Sequence, residues 1–421
     1  MNVRLLTATL TALALAACGS DSANDAPATG AEPAMPDTAT RAATIAREHI
    51  IVDGHIDVPY RLHDEWVDVS EATENGDFDY PRAVAGGLNA PFMSIYTPAS
   101  LEAEGRSKAV AEDLIGIVER LVAESPDKFA IAHSPAEVEQ QFRDGLISLP
   151  LGMENGSPIE GDLANIGYFF DKGIRYITLT HSLSNHISDS SYDDNKRWGG
   201  LSEFGRDVVR EMNRTGIMVD VSHVSDDAFW DVMEVTTAPV IASHSSARHF
   251  TPGFERNMND QMIVRLASNG GVIMINFGSA FVIQEARDYG NDRGDAYDAW
   301  LEAGDRESSD ELRQQFNEGY AAEHGPYPYA TLSQTLDHFD HVVKLTGGVD
   351  HVGIGSDYDG VGDSLPVGLK DVSTYPNLVA GLLERGYTEA EISKILGGNL
   401  LRVWREVEAV AAAAESEEAA D

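Results

Sequence analysis

A single cysteine, Cys18, stands in a chain of 421 residues. That scarcity excludes an internal disulfide, and it leaves no thiol for catalysis in the body of the protein. Positive charge is scarce too: 30 Lys and Arg face 69 Asp and Glu, for a formal net charge of −39. The balance speaks against nucleic acid as a partner, since neutralising phosphates needs a basic patch. It speaks equally against adsorption onto anionic lipid heads. Long apolar runs are missing; residues 5–17 come nearest and are too short to cross a bilayer. What remains is 43% hydrophobic residues evenly mixed with polar ones. A chain of this length and composition is globular and can bury a large core.

The start of the chain reads apart from the rest. Arg4 precedes the apolar stretch, and Leu15-Ala16-Ala17-Cys18 closes it. A short apolar segment behind a basic start predicts a signal peptide over residues 1–18. Its Leu-Ala-Ala-Cys ending resembles the lipobox of bacterial lipoproteins. That resemblance implies a lipid on Cys18 and a protein anchored in the bacterial envelope, facing the periplasm. No Asp follows the cysteine, which favours the outer membrane over the inner. Residues 19–40, mostly Ala, Asp, Pro, Ser, Thr and Gly, predict a flexible tether. The folded domain is expected over 41–405, and 406–421 as a last helix fraying into an acidic tail.

Within the domain, apolar β-rich runs alternate with amphipathic helical stretches. The runs cover 50–57, 88–96, 147–154, 174–181, 216–223, 238–244, 271–277 and 351–357. Helices are expected between several of them, notably 107–123 and 202–214, the latter with Ser202 as N-cap. Eight buried strands alternating with helices predict an α/β fold of the (β/α)₈ TIM-barrel type. The strand and helix at 129–142 do not fit the repeat. Neither does the insertion 282–329, acidic and rich in Gly and Tyr, which predicts a helical excursion on a loop.

Six of the runs finish on residues able to bind a metal. His55 and Asp57 end the first run and Glu154 the third; His181, His223, His244 and Asp357 end four others. Strand C-termini of such a barrel converge on one face, so residues scattered from 55 to 357 are expected to meet in one cup. Buried imidazoles and carboxylates are costly unless paired or metal-bound, which points to a metal site there. Nitrogen and oxygen donors without thiolate suit Zn²⁺, with Mn²⁺, Co²⁺ or Fe²⁺ as substitutes. The ligand count suggests two ions: His55 and Asp57 on one, His223 and His244 on the other, Glu154 bridging. No lysine stands at a strand end to supply a carbamylated bridge. Water held between two such ions ionises near neutral pH and becomes a nucleophile. Asp357 is expected to orient it and carry its proton, and His181 to donate to the developing oxyanion.

Several stretches carry a family resemblance. "DGHIDVP" (53–59), "GMENG" (152–156), "RYITLTHS" (175–182), "VDVSHVSDDAF" (219–229), "APVIASHSSAR" (238–248), "RNMND" (256–260), "GIGSDYDGV" (353–361) and "GGNLLRVW" (397–404) resemble, in order, the renal or membrane dipeptidases. The resemblance implies a binuclear zinc peptidase that cleaves dipeptides with free termini, some members accepting a D-residue at the second position. It implies one zinc at His55, Asp57 and Glu154, and another at Glu154, His223 and His244. Asp357 aligns with the acid/base aspartate and His181 with a histidine near the scissile carbonyl. Arg256 aligns with the arginine that binds the substrate carboxylate, Arg248 being the alternative; guanidinium suits that group because it can bind bidentately. A homodimer is implied as well. Phe281 appears where the family often has a tyrosine that helps hold the carboxylate, and the insertion that follows is placed to close over the site. Trp66, Tyr96 and Tyr358 read as core aromatics, and His338 and His341 as structural. A related metal-dependent hydrolase of N-acyl-amino acids or lactones is the alternative activity.

Overall fold

The computed structural model describes residues 37–418. Cys18, the signal peptide and most of the tether lie outside the described residues. The first helix, Thr38–Glu48, begins within the segment expected as tether. Asp37 caps it there, accepting from the Thr40 amide at 2.8 Å.

Eight parallel strands close into a barrel. They are β1 (Ile51–Ile56), β2 (Leu88–Tyr96), β3 (Leu151–Glu154), β4 (Ile174–Thr178), β5 (Met218–Asp220), β6 (Ile241–Ala242), β7 (Val272–Ile275) and β8 (Val352–Ile354). Each pairs with its neighbours in sequence, and β8 closes on β1 with Asp53 opposite Ile354. Every expected run contains one of these strands.

The third run divides. Pro150 has no amide hydrogen to give a ladder, and the run breaks there. Its first half, Ile147–Leu149, pairs with Phe129–Ile131 in a separate two-stranded sheet, while its second half is β3. The side sheet accounts for the strand and helix that did not fit the repeat. The helices form where expected, over Ser107–Glu124 and Glu203–Thr215, and the Ser202 hydroxyl accepts from the Gly205 amide at 2.8 Å.

Phe92, Tyr176, Met218 and Met274 fill the barrel interior. They form one cluster with Trp404 and Val407 of the final helix, Asn399–Glu418, which continues past the expected domain end at 405 because its apolar face still packs there. Close packing in this interior demands glycine at position 152, where a Cβ would lie 2.0 Å from the Tyr176 ring. After β7 the insertion folds as two helices, Gln284–Ala303 and Asp310–His324, with the rings of Tyr297 and Phe316 5.3 Å apart between them. No helix among the described residues is long and apolar enough to cross a membrane.

Candidate active site

His55 and Glu154 lie at the ends of β1 and β3 themselves, and the other strands stop just short of the polar residues that ended the runs. Asp57 follows β1 as the N-cap residue of the helix Val58–Asp64; His181, His223, His244 and Asp357 lie two or three residues beyond β4, β5, β6 and β8. His223 and Asp357 adopt left-handed backbone, with φ of 69° and 63°, and Asn155 beside Glu154 does the same at 78°. Such conformations persist in non-glycine residues only where the surroundings impose them, and here they turn side chains into one cup.

Glu154 is its centre. Oε1 lies 3.1 Å from His223 Nε2, 3.2 Å from His244 Nε2 and 3.5 Å from His181 Nε2. Oε2 lies 3.4 Å from His55 Nε2, which is itself 3.4 Å from Asp57 Oδ2. Ser94 donates to the same Oε2 at 3.2 Å. The His223 and His244 Nε2 atoms face each other at 2.8 Å, and the His55 and His244 rings stack 3.9 Å apart.

The protonation of this cluster follows from its supports. The Ser243 hydroxyl donates to Asp220 at 2.6 Å, so at its 2.8 Å contact with His244 Nδ1 it accepts the ring N–H. His244 Nε2 is then a bare lone pair, aimed at the carboxylate oxygen of Glu154 and at His223. Tyr176 touches His55 Nδ1 at 2.7 Å, leaving His55 Nε2 buried without a hydrogen-bond partner. Converging lone pairs repel unless a cation sits among them. Imidazole nitrogen and carboxylate oxygen therefore fit a divalent metal, and groups of His55, Glu154 and His244, of Glu154, His181 and His223, and of His55, Asp57 and Asp357 each lie close enough to share one ion.

Burial governs the electrostatics. It drives the His223 and His244 imidazoles well below their ordinary range, with the Arg256 charge adding to the effect, and it lowers His181. Burial alone would raise Glu154, but the His55 and His181 charges and the contacts from His223 and His244 hold its carboxyl well below the usual range. Asp357 is pushed up to about 7, first by burial and then by the neighbouring Asp57. Asn276 Nδ2 donates to Asp357 Oδ2 at 2.7 Å and fixes that carboxyl group.

Arg256 is 3% exposed, beside the cluster. It donates to the Ser245 hydroxyl at 2.7 Å and to the His244 carbonyl at 2.8 Å, has no carboxylate partner among the described residues, and leaves Nε buried and unpartnered. Arg248 is spent elsewhere: it grips Asp226 with both terminal nitrogens, one at 2.7 Å, and donates to the Asn257 carbonyl through Nε. Of the two candidates, only Arg256 has a guanidinium free to receive an anion.

The centre opens into a cavity of about 1360 Å³ whose walls include Tyr60, Tyr96, Tyr192, Phe281 and residues of the insertion. Tyr96 thus serves the cavity, its ring 4.7 Å from that of His181, because as the last residue of β2 it reaches the same rim. Tyr358 is core, buried against Phe277 and Tyr375. Trp66 lies under Arg120, with the guanidinium 3.6 Å from its ring. His338 is buried, bonded to the Ala247 amide and the Val282 carbonyl, and His341 meets Asp260 at 2.8 Å. Sequence reasoning missed the supports Tyr176, Asp220, Ser243 and Asn276. A signal did exist for Asp220 and Ser243: an inward carboxylate ends an apolar strand, and a serine precedes each of His223 and His244.

Comparisons with known proteins agree with this geometry. The family described as membrane dipeptidase, peptidase family M19, matches residues 39–418. An uncharacterized dipeptidase of Schizosaccharomyces pombe is 31% identical over 374 residues, covering 85% of this chain and 81% of its own. The crystal structure of the probable dipeptidase PvdM from Pseudomonas aeruginosa superposes with a TM-score of 0.74 at 25% identity, covering 89% of this chain and 99% of the other. A metallo peptidase from Rhodobacter sphaeroides, liganded with a phosphinate mimic of the dipeptide L-Ala-D-Ala, superposes with a TM-score of 0.69 at 25% identity, covering 85% and 99%. With the match spanning nearly all of the described barrel, the chain belongs to the membrane dipeptidase family and is a metallopeptidase.

Proposed function

We propose that this metallopeptidase hydrolyses dipeptides with free termini, using two Zn²⁺ ions, and that it accepts a D-residue at the second position. One observation carries the reading: Arg256, buried with no carboxylate partner, donates to residues on both sides of the peptide bond after His244, next to the metal-binding donors. A buried, unpaired guanidinium is costly unless an anion completes it, and the C-terminal carboxylate of a dipeptide is such an anion. The R. sphaeroides relative, liganded with a mimic of L-Ala-D-Ala, motivates the D-residue.

His55, Asp57 and Glu154 would hold one ion, and Glu154, His223 and His244 the other. When bound, the ions supply Lewis acidity toward the scissile carbonyl and toward water. Arg256 fixes the substrate carboxylate and so sets the position of the peptide bond. Asp357, steadied at Oδ2 by Asn276, has Oδ1 free of protein donors; it takes a proton from the attacking water and returns it to the departing amine. His181, with Nδ1 unpartnered, donates to the carbonyl oxygen as charge develops there.

The test is hydrolysis of L-Ala-L-Ala, L-Ala-D-Ala and L-Ala-L-Ala amide by zinc-loaded protein. Cleavage of the free dipeptides, lost on chelation and on amidation, is the expected result. Equal cleavage of the amide would remove the role of Arg256, and no cleavage at all would move the search to N-acyl-amino acids and lactones. On the N-terminal motif we further propose a lipid on Cys18 that holds the protein at the periplasmic face of the bacterial envelope. A Cys18→Ser variant recovered in the soluble fraction supports it, and one still in the membrane fraction opposes it. A homodimer is proposed from the family resemblance and is read by sedimentation.

A further inference from the structure

The cavity is larger than the proposed reaction needs. At about 1360 Å³ it exceeds the roughly 300–1,000 Å³ usual for small-ligand sites. The surplus is bounded in part by the insertion, which contributes Arg293 and Tyr327 to the wall.

Arg293 differs from the other arginine on this wall. It lies half-buried in a protein of net charge −39, and no ion pair or hydrogen bond joins it to any described residue. Its contacts are two tyrosine rings, Tyr289 at 5.7 Å and Tyr327 at 5.8 Å. The other cation on the cavity wall, Arg61, is already held by Asp359 at 3.2 Å and by the Asn75 and Phe78 carbonyls. Nearby hydroxyls differ in the same way. Tyr289 donates to the Gly325 carbonyl and Tyr329 to Asp363, whereas the Tyr327 hydroxyl meets no protein acceptor among the described residues. A guanidinium and a phenol, both without acceptors and both on the wall of one cavity, form a donor pair awaiting an anion.

We propose that Arg293 and Tyr327 form a specificity site for a second anionic group on the substrate, so that the preferred dipeptides carry an acidic side chain in addition to the C-terminal carboxylate. The proposal rests on the dipeptidase reading. Arg256 answers the carboxylate that every free dipeptide has; Arg293 answers one that only some have. The Tyr289 and Tyr327 rings, 5.6 Å from each other, give the guanidinium an aromatic backing that limits the entropy lost when the anion binds.

The experiment compares kcat/KM for L-Glu-L-Ala, L-Ala-L-Glu, L-Ala-L-Ala and L-Lys-L-Ala in the zinc-loaded wild-type protein, R293Q, R293K and Y327F. The wild type is expected to favour at least one glutamyl peptide over L-Ala-L-Ala, and to disfavour L-Lys-L-Ala. R293Q is expected to cut the glutamyl-to-alanyl ratio about tenfold, chiefly through KM, with R293K restoring part of it; the two glutamyl peptides report which substrate residue faces the site. A ratio unmoved by R293Q overturns the proposal, and because it is a ratio, a general loss of activity cannot imitate the effect. If no peptide is cleaved, the dipeptidase reading falls, and calorimetric binding of the intact peptides still decides the site: equal affinity for L-Glu-L-Ala in wild type and R293Q overturns it, and a selective loss supports it.

Discussion

Replacing Tyr176 by phenylalanine removes one oxygen atom from the floor of the metal-binding cluster and little else. The ring sits in space left by Gly152, with the Phe92 ring 5.3 Å away, so its packing survives the change. What is lost is the 2.7 Å contact from the Tyr176 hydroxyl to His55 Nδ1, at a place where both residues are fully buried and no solvent can step in. His55 then has nothing to fix which nitrogen carries its proton, and its Nδ1–H is left without an acceptor. Partners of this kind are worth about 10–100-fold in metal affinity, which is about 1.4–2.7 kcal/mol. The effect should be confined mainly to the ion proposed at His55, Asp57 and Glu154. The ion proposed at His223 and His244 would share only Glu154 with it, and His244 is steadied separately by Ser243 and Asp220. Titrating metal-depleted Y176F with Zn²⁺ against a competing chelator should show one equivalent weakened by this factor and the other changed far less, with excess zinc recovering part of the activity. Two equivalents bound as tightly as in the wild type would refute the argument that Tyr176 orients a ligand. So would an equal loss at both sites, which would mean the variant had disturbed the barrel as a whole.

Other expectations follow from the same contacts. Ser243→Ala removes the acceptor of the His244 Nδ1–H and should weaken the other zinc equivalent by about 10–100-fold in the same titration. Gly152→Ala sets a methyl group 2.0 Å from the Tyr176 ring, and such overpacking costs about 1–3 kcal/mol; denaturant unfolding should show it, and an unchanged midpoint would mean the ring moves freely. Arg248→Ala breaks the grip on Asp226 and on the loop that carries Arg256, so KM for dipeptides should rise more than kcat falls. His338 is held to about 4 by burial, against 6.5 when free, so its contribution is complete above pH 6.5 and is lost as the pH falls toward 4. Its neutral ring accepts from the Ala247 amide and donates to the Val282 carbonyl, and protonation spoils the first of these. The loss amounts to about 3 kcal/mol. Unfolding of wild type and His338→Gln at pH 7 and pH 4.5 should give a smaller difference for the variant, and equal differences would refute it.

Much of the centre was legible because a barrel converts position along the chain into position on one face. His55, Glu154, His223 and His244 could be assembled on paper since each stands at the end of a run of apolar residues, and every run contains a barrel strand. The reading was less sharp where polar geometry, not periodicity, decides. Pro150 splits one apparent run into strands of two different sheets, and periodicity passes over it because both halves are buried. Asp37 and the apolar face at Val407 extend helices past boundaries drawn from composition. Nothing in the apolar run around Tyr176 marks it as a support; that shows only once Gly152, far away in sequence, is seen to make room for the ring, whose hydroxyl meets His55.

The insertion marks the limit of this kind of reading. Its helices were expected, yet nothing in the order Arg287, Arg293, Tyr327 says which arginine is occupied. Arg287 lies over the Phe254 ring at 3.5 Å and off the cavity wall, while Arg293, less than two helical turns on, stands on that wall with only the looser ring contacts of Tyr289 and Tyr327 at 5.7 and 5.8 Å. Whether a charge is free depends on every neighbour it fails to meet, and that is a property of the fold. The residues proposed for catalysis are held at strand ends by backbone ladders and by buried hydroxyls, so the reaction proposed for them is insulated from changes in the loop above. The insertion enters the cavity from one loop only, after β7, and can alter which peptides reach the centre without touching a metal-binding donor. Selection among substrates should therefore respond to substitutions in 284–329, and metal affinity to substitutions at Tyr176 and Ser243. Each set should leave the other property nearly unmoved.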